Sequence, residues 1–393
     1  MDNRSARSAR PQRLPRNIIA LGIVSLFNDT AGDMINPLLP AFVASVGGGP
    51  EVLGIIEGIA DASASLFQLA SGYIADRVGR LKATTFVGYA VAAVVRPLLA
   101  VTAVWWQILL VRFGDRLGKA VRGAPRDRLI ADAAPSEIRG RAFGYHSAMD
   151  NAGALGGPLI AYWMLTLGMN PRSIFAWTVV PGLLSLLVLG GGVQEIESIG
   201  HERVEIGIPE APGFRQLLAA IFVFTLGSSS DSFLLWRARE VGVSAAHLPL
   251  LWFVLAFSRV ISSTPGGALS DRWGRNKTII SGWLIYSAVY LGFAFVSAPQ
   301  AIWLLFAVYG FFSGLTEGSE RALVIDLVAE EWRGRALGAS KAAVGVALFP
   351  ASVIFGIIYQ HLGAEPAFML GAALALIAIF MLPSSAPPAK PGT

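Results

Sequence analysis

Apolar residues run through this chain in long blocks of roughly the length that crosses a bilayer, about 20 residues, with short polar interruptions and none of the every-other-residue alternation of half-buried strands. The blocks predict helices at 17–45, 51–76, 83–103, 105–131, 141–168 and 173–194, then at 213–238, 246–270, 278–297, 300–328, 335–362 and 365–383. Turn chemistry marks the gaps: Gly47-Gly48-Gly49-Pro50, Asn170-Pro171, Ala298-Pro299 and Glu365-Pro366. The expected fold is all-α and integral to the membrane, with twelve spans.

One interruption occurs twice. Gly72-Tyr73-Ile74-Ala75-Asp76-Arg77-Val78-Gly79-Arg80-Leu81-Lys82 is answered by Gly267-Ala268-Leu269-Ser270-Asp271-Arg272-Trp273-Gly274-Arg275-Asn276-Lys277. Further on, Arg139-Gly140-Arg141-Ala142 is answered by Arg333-Gly334-Arg335-Ala336, with Asp132 and Asp326 at the same distance ahead. A repeat of this length makes two related six-helix bundles. The expected organisation is an Arg-rich tail at 1–16, a bundle at 17–194, a linker at 195–212, a second bundle at 213–383 and a tail at 384–393.

Composition agrees: of 393 residues 54% are hydrophobic and 15% charged, against about 25% charged in soluble domains. Lys and Arg concentrate in alternate loops on the side of the N-terminal tail, which predicts cytoplasmic termini in a cell inner membrane. The formal charge of +5 is thereby a topology signal, and no nucleic-acid partner is expected. Arg4, Arg7, Arg10, Arg13 and Arg16 resemble the start of a signal peptide, but the following run carries Asn28, Asp29, Asp33 and Asn36 and is too long and polar for one. With no Cys and four scattered His, neither a metal site nor a cofactor is expected. Gly114-Asp115-Arg116-Leu117-Gly118-Lys119-Ala120 only superficially looks like a phosphate-binding loop, being one residue short and without Ser or Thr. No enzyme motif stands out, so the lipid bilayer, a small-molecule substrate and protons are the expected partners of a monomer.

The chemistry lies in charges at bilayer depth, each costing about 2.5–3.5 kcal/mol at a helix centre unless paired or wet. Asp29, Asp33 and Asn36 share a face of the first helix, Glu57 and Asp61 a face of the second, and Arg96 stands on the third. The fourth holds Arg112, Asp115, Arg116, Lys119 and Arg122, and the fifth His146 and Asp150. The second bundle adds Asp231, Arg259 and Glu317. In the first bundle six carboxylates meet five cations, a near balance that suits a static ion-pair network as well as a functional one. Two carboxylates one turn apart repel, which points to Asp29 and Asp33 as proton carriers, with Asp61 beside them. Gly153 and Gly157, with Pro158, read as helix-packing positions. Phe67, Trp236 and Phe349 are aromatic candidates for the interior that suit a lipid face equally well.

These motifs resemble those of the major facilitator superfamily along essentially all twelve spans. Gly72 to Lys82 is similar to that family's signature between helices 2 and 3, and its second copy to the echo between helices 8 and 9. The resemblance implies a gate made by Gly72, Asp76, Arg77 and Arg80, and by Asp271, Arg272 and Arg275. In that gate Asp76 and Arg80 would face the Arg335 region, and Asp271 and Arg275 the Arg141 region. Within the family the first half resembles bacterial drug exporters. It implies that Arg112 tunes proton coupling; of the polar residues at depth, Asn36, Glu57, Arg96, Asp115, Arg116, His146, Asp150, Asp231, Arg259 and Glu317 are expected to line the substrate cavity. After Arg112 the chain departs from the exporter pattern with Asp115-Arg116, and after Gly153-x3-Gly157-Pro158 it continues Leu159-Ile160-Ala161-Tyr162. The expected function is proton-coupled export of a small organic molecule by alternating access. The alternatives are proton-coupled uptake of an anion or metal chelate, and a receptor or scaffold that transports nothing.

Overall fold

Helix after helix ends where glycine or proline ends it. The computed structural model describes residues 14–78, 80–135, 138–195 and 210–383, and among these all regular structure is helical. The spans are α1 (Arg16–Ser45), α2 (Pro50–Val78), α3 (Leu81–Val101), α4 (Trp105–Ala133), α5 (Arg139–Thr166) and α6 (Pro171–Gly192) in the first bundle. The second holds α7 (Gly213–Glu240), α8 (Ala245–Trp273), α9 (Arg275–Phe295), α10 (Pro299–Asp326), α11 (Glu330–Leu362) and α12 (Ala364–Phe380). The proposed linker and both tails fall almost wholly outside the described residues. Gly274, between the Asp271-Arg272 and Arg275 of the repeated motif, has φ of 92°. That conformation is open to glycine at no steric cost and costs other residues, so this glycine makes the turn from α8 to α9.

Eight of the spans are long and apolar enough to cross a membrane on length and composition alone. The polar exceptions, α2, α4 and α5, turn charged faces inward, as lipid would require. Three spans are interrupted. Pro37 breaks α1 into a 3-10 turn at Asn36–Leu38, Pro97 does the same at the end of α3 over Arg96–Val101, and α7 is unwound at residues 228–230. Each interruption brings a polar side chain to the interior.

Packing differs between the bundles. In the second, rings of α7, α9, α10 and α12 pack on one another, with Phe224 stacked on Trp283 at 4.5 Å and Tyr286 on Tyr290 at 4.1 Å between centroids. Such pairs add about 0.5–1.5 kcal/mol each beyond buried area. In the first, α1 and α5 approach through glycine. A Cβ built on Gly153 would stand 2.5 Å from Leu26 O, and one on Gly157 would stand 2.6 Å from Thr30 O. Backbone cannot retreat from such a contact, so Gly157→Val should cost about 1–3 kcal/mol of overpacking. Thermal unfolding in detergent checks this, with the melting temperature expected to fall. Pro158 follows, buried inside α5.

The two bundles meet along α2 and α11, and along α5 and α8. Glycines again set the distance. A Cβ on Gly54 would lie 2.4 Å from Ser352 O, and one on Gly356 would lie 2.6 Å from Pro50 O. At the ends remote from the termini Gly49 abuts Gln360, Glu51 Oε2 lies 3.7 Å from His361 Nε2, and Tyr162 faces the His247 ring at 6.1 Å. The molecule is thus closed on the face away from its termini.

Candidate functional site

Between the bundles lies a cavity of about 420 Å³. The first bundle contributes Asp29, Asp33 and Asn36 from α1, Glu57 and Asp61 from α2, Arg96 from α3, and Arg112, Asp115, Arg116, Lys119 and Arg122 from α4. Ser228, Ser229, Ser230 and Asp231 enter from the unwound part of α7, and Trp252 and Arg259 from α8. Of the side chains expected to line a substrate cavity, His146, Asp150 and Glu317 are the ones this lining omits.

Three ion pairs fix the interior of the first bundle. Arg96 Nε donates to Asp115 Oδ1 at 2.8 Å, while its Nη1 reaches Asn28 O at 2.7 Å and Asn28 Oδ1 at 3.0 Å. Arg112 forks onto Glu57, with Nε to Oε1 at 3.1 Å and Nη2 to Oε2 at 3.2 Å, both side chains nearly fully buried. Arg116 Nε lies 3.1 Å from Asp61 Oδ1 but off the axis of a hydrogen bond. A pair at this depth offsets its desolvation only when both partners are present and well aligned.

Asp29 and Asp33 are different. Asp33 Oδ1 accepts from Asn36 Nδ2 at 2.9 Å and from the indole Nε1 of Trp252 at 2.9 Å, the latter across the bundle interface. Asp29 Oδ1 accepts from Asn28 Nδ2 at 2.8 Å. Among the described residues neither carboxylate has a cation as ion-pair partner. Arg112 reaches Asp33 indirectly, since its Nη1 donates to Asn36 Oδ1 at 3.1 Å. Ser230 Oγ donates to Glu57 Oε2 at 3.3 Å, a second polar link between the bundles. On the far wall Asp231 Oδ2 lies 3.4 Å from Arg259 Nη2, and Tyr309 OH donates to Asp231 Oδ1 at 2.8 Å.

The residues outside the cavity have their own partners. His146 Nε2 lies 3.4 Å from Ser25 Oγ and 3.7 Å from Asp150 Oδ1, within the α1–α5 contact that the glycines create. Glu317 accepts from Arg321 at 2.7 Å on an exposed face. Phe67 and Phe349 are exposed, and Trp236, which is not among the lining residues, donates its Nε1 hydrogen to Glu240 Oε1 at 2.9 Å. In the second copy of the repeated motif, Arg275 pairs with Asp271 and, at 3.3 Å, with Asp326 at the end of α10. These partners lie in its own bundle, whereas the expected ones lay across the interface near Arg141; the bundles close on the opposite face. Arg80 and Arg272 are exposed, and the surroundings of Gly72 and the side chains of Asp76 and Arg77 fall outside what the structure describes. Sequence reasoning missed Trp252 and the serine run. The run carried one usable sign, three consecutive serines before an Asp in an apolar block.

Two facing six-helix bundles around a charged cavity are an architecture shared by many membrane transporters. The model of the Major Facilitator Superfamily matches residues 21–203 and 217–393, and the chain belongs to that superfamily: it is a multi-pass membrane transporter. It is similar to an uncharacterised MFS-type transporter of Methanocaldococcus jannaschii, 32% identical over 390 residues and 97% of each chain. It is also similar to the multidrug resistance protein MdtG of Enterobacter lignolyticus, 25% identical over 391 residues covering 94% of this chain and 92% of that one. Among solved structures it resembles a bacterial homologue of the human lysosomal transporter Spinster in an inward-facing, unoccupied conformation. The TM-score is 0.71 at 17% identity, covering 94% of this chain and 95% of that chain.

Proposed function

We propose that this protein is a proton-coupled exporter of a small organic molecule, monomeric in the cell inner membrane, with both termini and the 195–212 linker in the cytoplasm. The observation that carries the coupling is the state of Asp29 and Asp33, which lie in the cavity with amide and indole donors and, among the described residues, no ion-pair partner. At bilayer depth an unpaired carboxylate is the group that takes up and gives back a proton at least cost. Asp61, held by Arg116, serves as that arginine's counter-ion, and Arg112 acts on Asp33 through Asn36. Trp252 ties Asp33 to the second bundle, so proton binding there bears on the bundle interface. That link supplies the differential interaction between states which alternating access needs. Export suits the multidrug resistance for which the similar protein MdtG is named. A second reading, uptake of an anion together with protons, is favoured by Lys119 and Arg122, which line the cavity and among the described residues form no ion pair with a carboxylate. Reconstituted protein under an imposed pH gradient separates the two: solute moves against the proton flow in export by exchange and with it in uptake.

Alternating access has its own test. The chain has no Cys, so Gly49→Cys with Gln360→Cys carries the only thiols, placed where the bundles touch on the closed face. Bridging them with a short bifunctional maleimide should stop transport, while either single variant treated alike should continue. Undiminished transport by the bridged protein would mean that this face does not open.

A further inference from the structure

Lys119 and Arg122 stand one turn apart on α4, and both line the cavity. Among the described residues neither is in an ion pair: Asp115 is committed to Arg96, Glu57 to Arg112 and Asp61 to Arg116, and Asp29, though it lines the same cavity, forms no ion pair with either. Arg122 is only 4% exposed, yet its Nη1 is buried without a hydrogen-bond acceptor. Its described neighbour is the ring of Tyr89, with the guanidinium carbon 4.7 Å from the centroid. Such a contact soothes the charge but offers no acceptor to its N–H groups. On the facing wall Arg259 holds Asp231 through Nη2 at 3.4 Å and leaves Nε buried without an acceptor. Buried donors of a cation left unsatisfied are costly. The cavity therefore presents, from both bundles, buried guanidinium donors that no acceptor among the described residues meets.

We propose that the cavity binds a small organic anion. A carboxylate or phosphate group is held between Lys119 and Arg122, and a second polar group reaches Arg259 and the Ser228–Ser230 segment. Arg122 contributes a planar fork of donors and Lys119 a point charge, the pairing suited to an oxyanion. A cavity of about 420 Å³ falls within the range of small-molecule sites. Contact with both bundles lets the anion report to each of them. The proposal rests on reading this cavity as the transport site, but it concerns binding alone and stands or falls separately from proton coupling.

The test is ligand-induced stabilisation of the purified protein in detergent. The probes are succinate, benzoate and glycerol phosphate, each set against its neutral counterpart, succinamide, benzamide and glycerol. At least one anion should raise the melting temperature in a saturable way, and its neutral counterpart should not. Lys119→Gln should weaken that anion by about ten-fold or more, the scale of one charge-assisted hydrogen bond, and Lys119→Arg should keep most of it. Arg122→Gln supplies a second variant should Lys119→Gln fail to fold. Two results would overturn the proposal: none of the anions stabilises the wild-type protein, or the stabilising anion acts equally on Lys119→Gln and Arg122→Gln.

Discussion

Asp33→Asn should bring solute-driven proton movement in proteoliposomes down to the level of protein-free vesicles, while exchange of labelled for unlabelled solute continues. The structure explains why these separate. Asp33 is used at one oxygen, as an acceptor for Asn36 and for Trp252 at 2.9 Å each. An asparagine carbonyl at that atom accepts the same two bonds, so the link to α8 and the shape of the cavity persist. What disappears is the capacity to bind a proton. Asp29→Asn should act in the same direction through the other unpaired carboxylate. If Asp33→Asn leaves proton movement undiminished, Asp33 has no part in coupling, and its place in the cavity is structural.

Arg112→Ala should destabilise the protein by about 3–5 kcal/mol, the cost of leaving a buried charge without its partner. Glu57, 3% exposed, takes two hydrogen bonds from that guanidinium and keeps only the hydroxyl of Ser230 when it is gone. The double variant Arg112→Met with Glu57→Leu removes both charges and should recover much of the loss, since an apolar pair of similar volume often replaces a buried ion pair at little cost. Denaturation in detergent measures both. A double variant no more stable than Arg112→Ala would show that Arg112 stabilises the bundle through something other than Glu57, with Asn36 the first suspect at 3.1 Å.

The fold was legible because its signals are long. A block of some twenty apolar residues closed by Gly-Pro or Asn-Pro admits few readings, and the predicted span at 105–131 is observed as Trp105–Ala133. The charged lining was legible for a related reason: Asp29, Glu57 or Arg112 at that depth must face an interior. Pairing was not legible. Nothing local tells Arg112 to choose Glu57, 55 residues away, over Asp61, because helix rotation decides it and rotation is set by packing against neighbours. That also explains why His146 and Asp150 lie elsewhere. Their stripe on α5 includes Gly153, and it packs on α1 instead of opening to the cavity. Trp252 escaped because a tryptophan in an apolar helix fits a lipid face as readily as an interior one. The repeated charged motif marks the two-bundle architecture, while the donors and acceptors that distinguish this carrier sit at depth.

Wild-type protein reconstituted into vesicles loaded with a pH-sensitive dye, then given a solute that stabilises it, measures the coupling most directly. The account predicts that the solute alone moves protons across the membrane, that a protonophore abolishes the dye response, and that an imposed pH gradient drives solute accumulation. Solute transport that proceeds at the same rate with and without a pH gradient, and moves no protons, would contradict it.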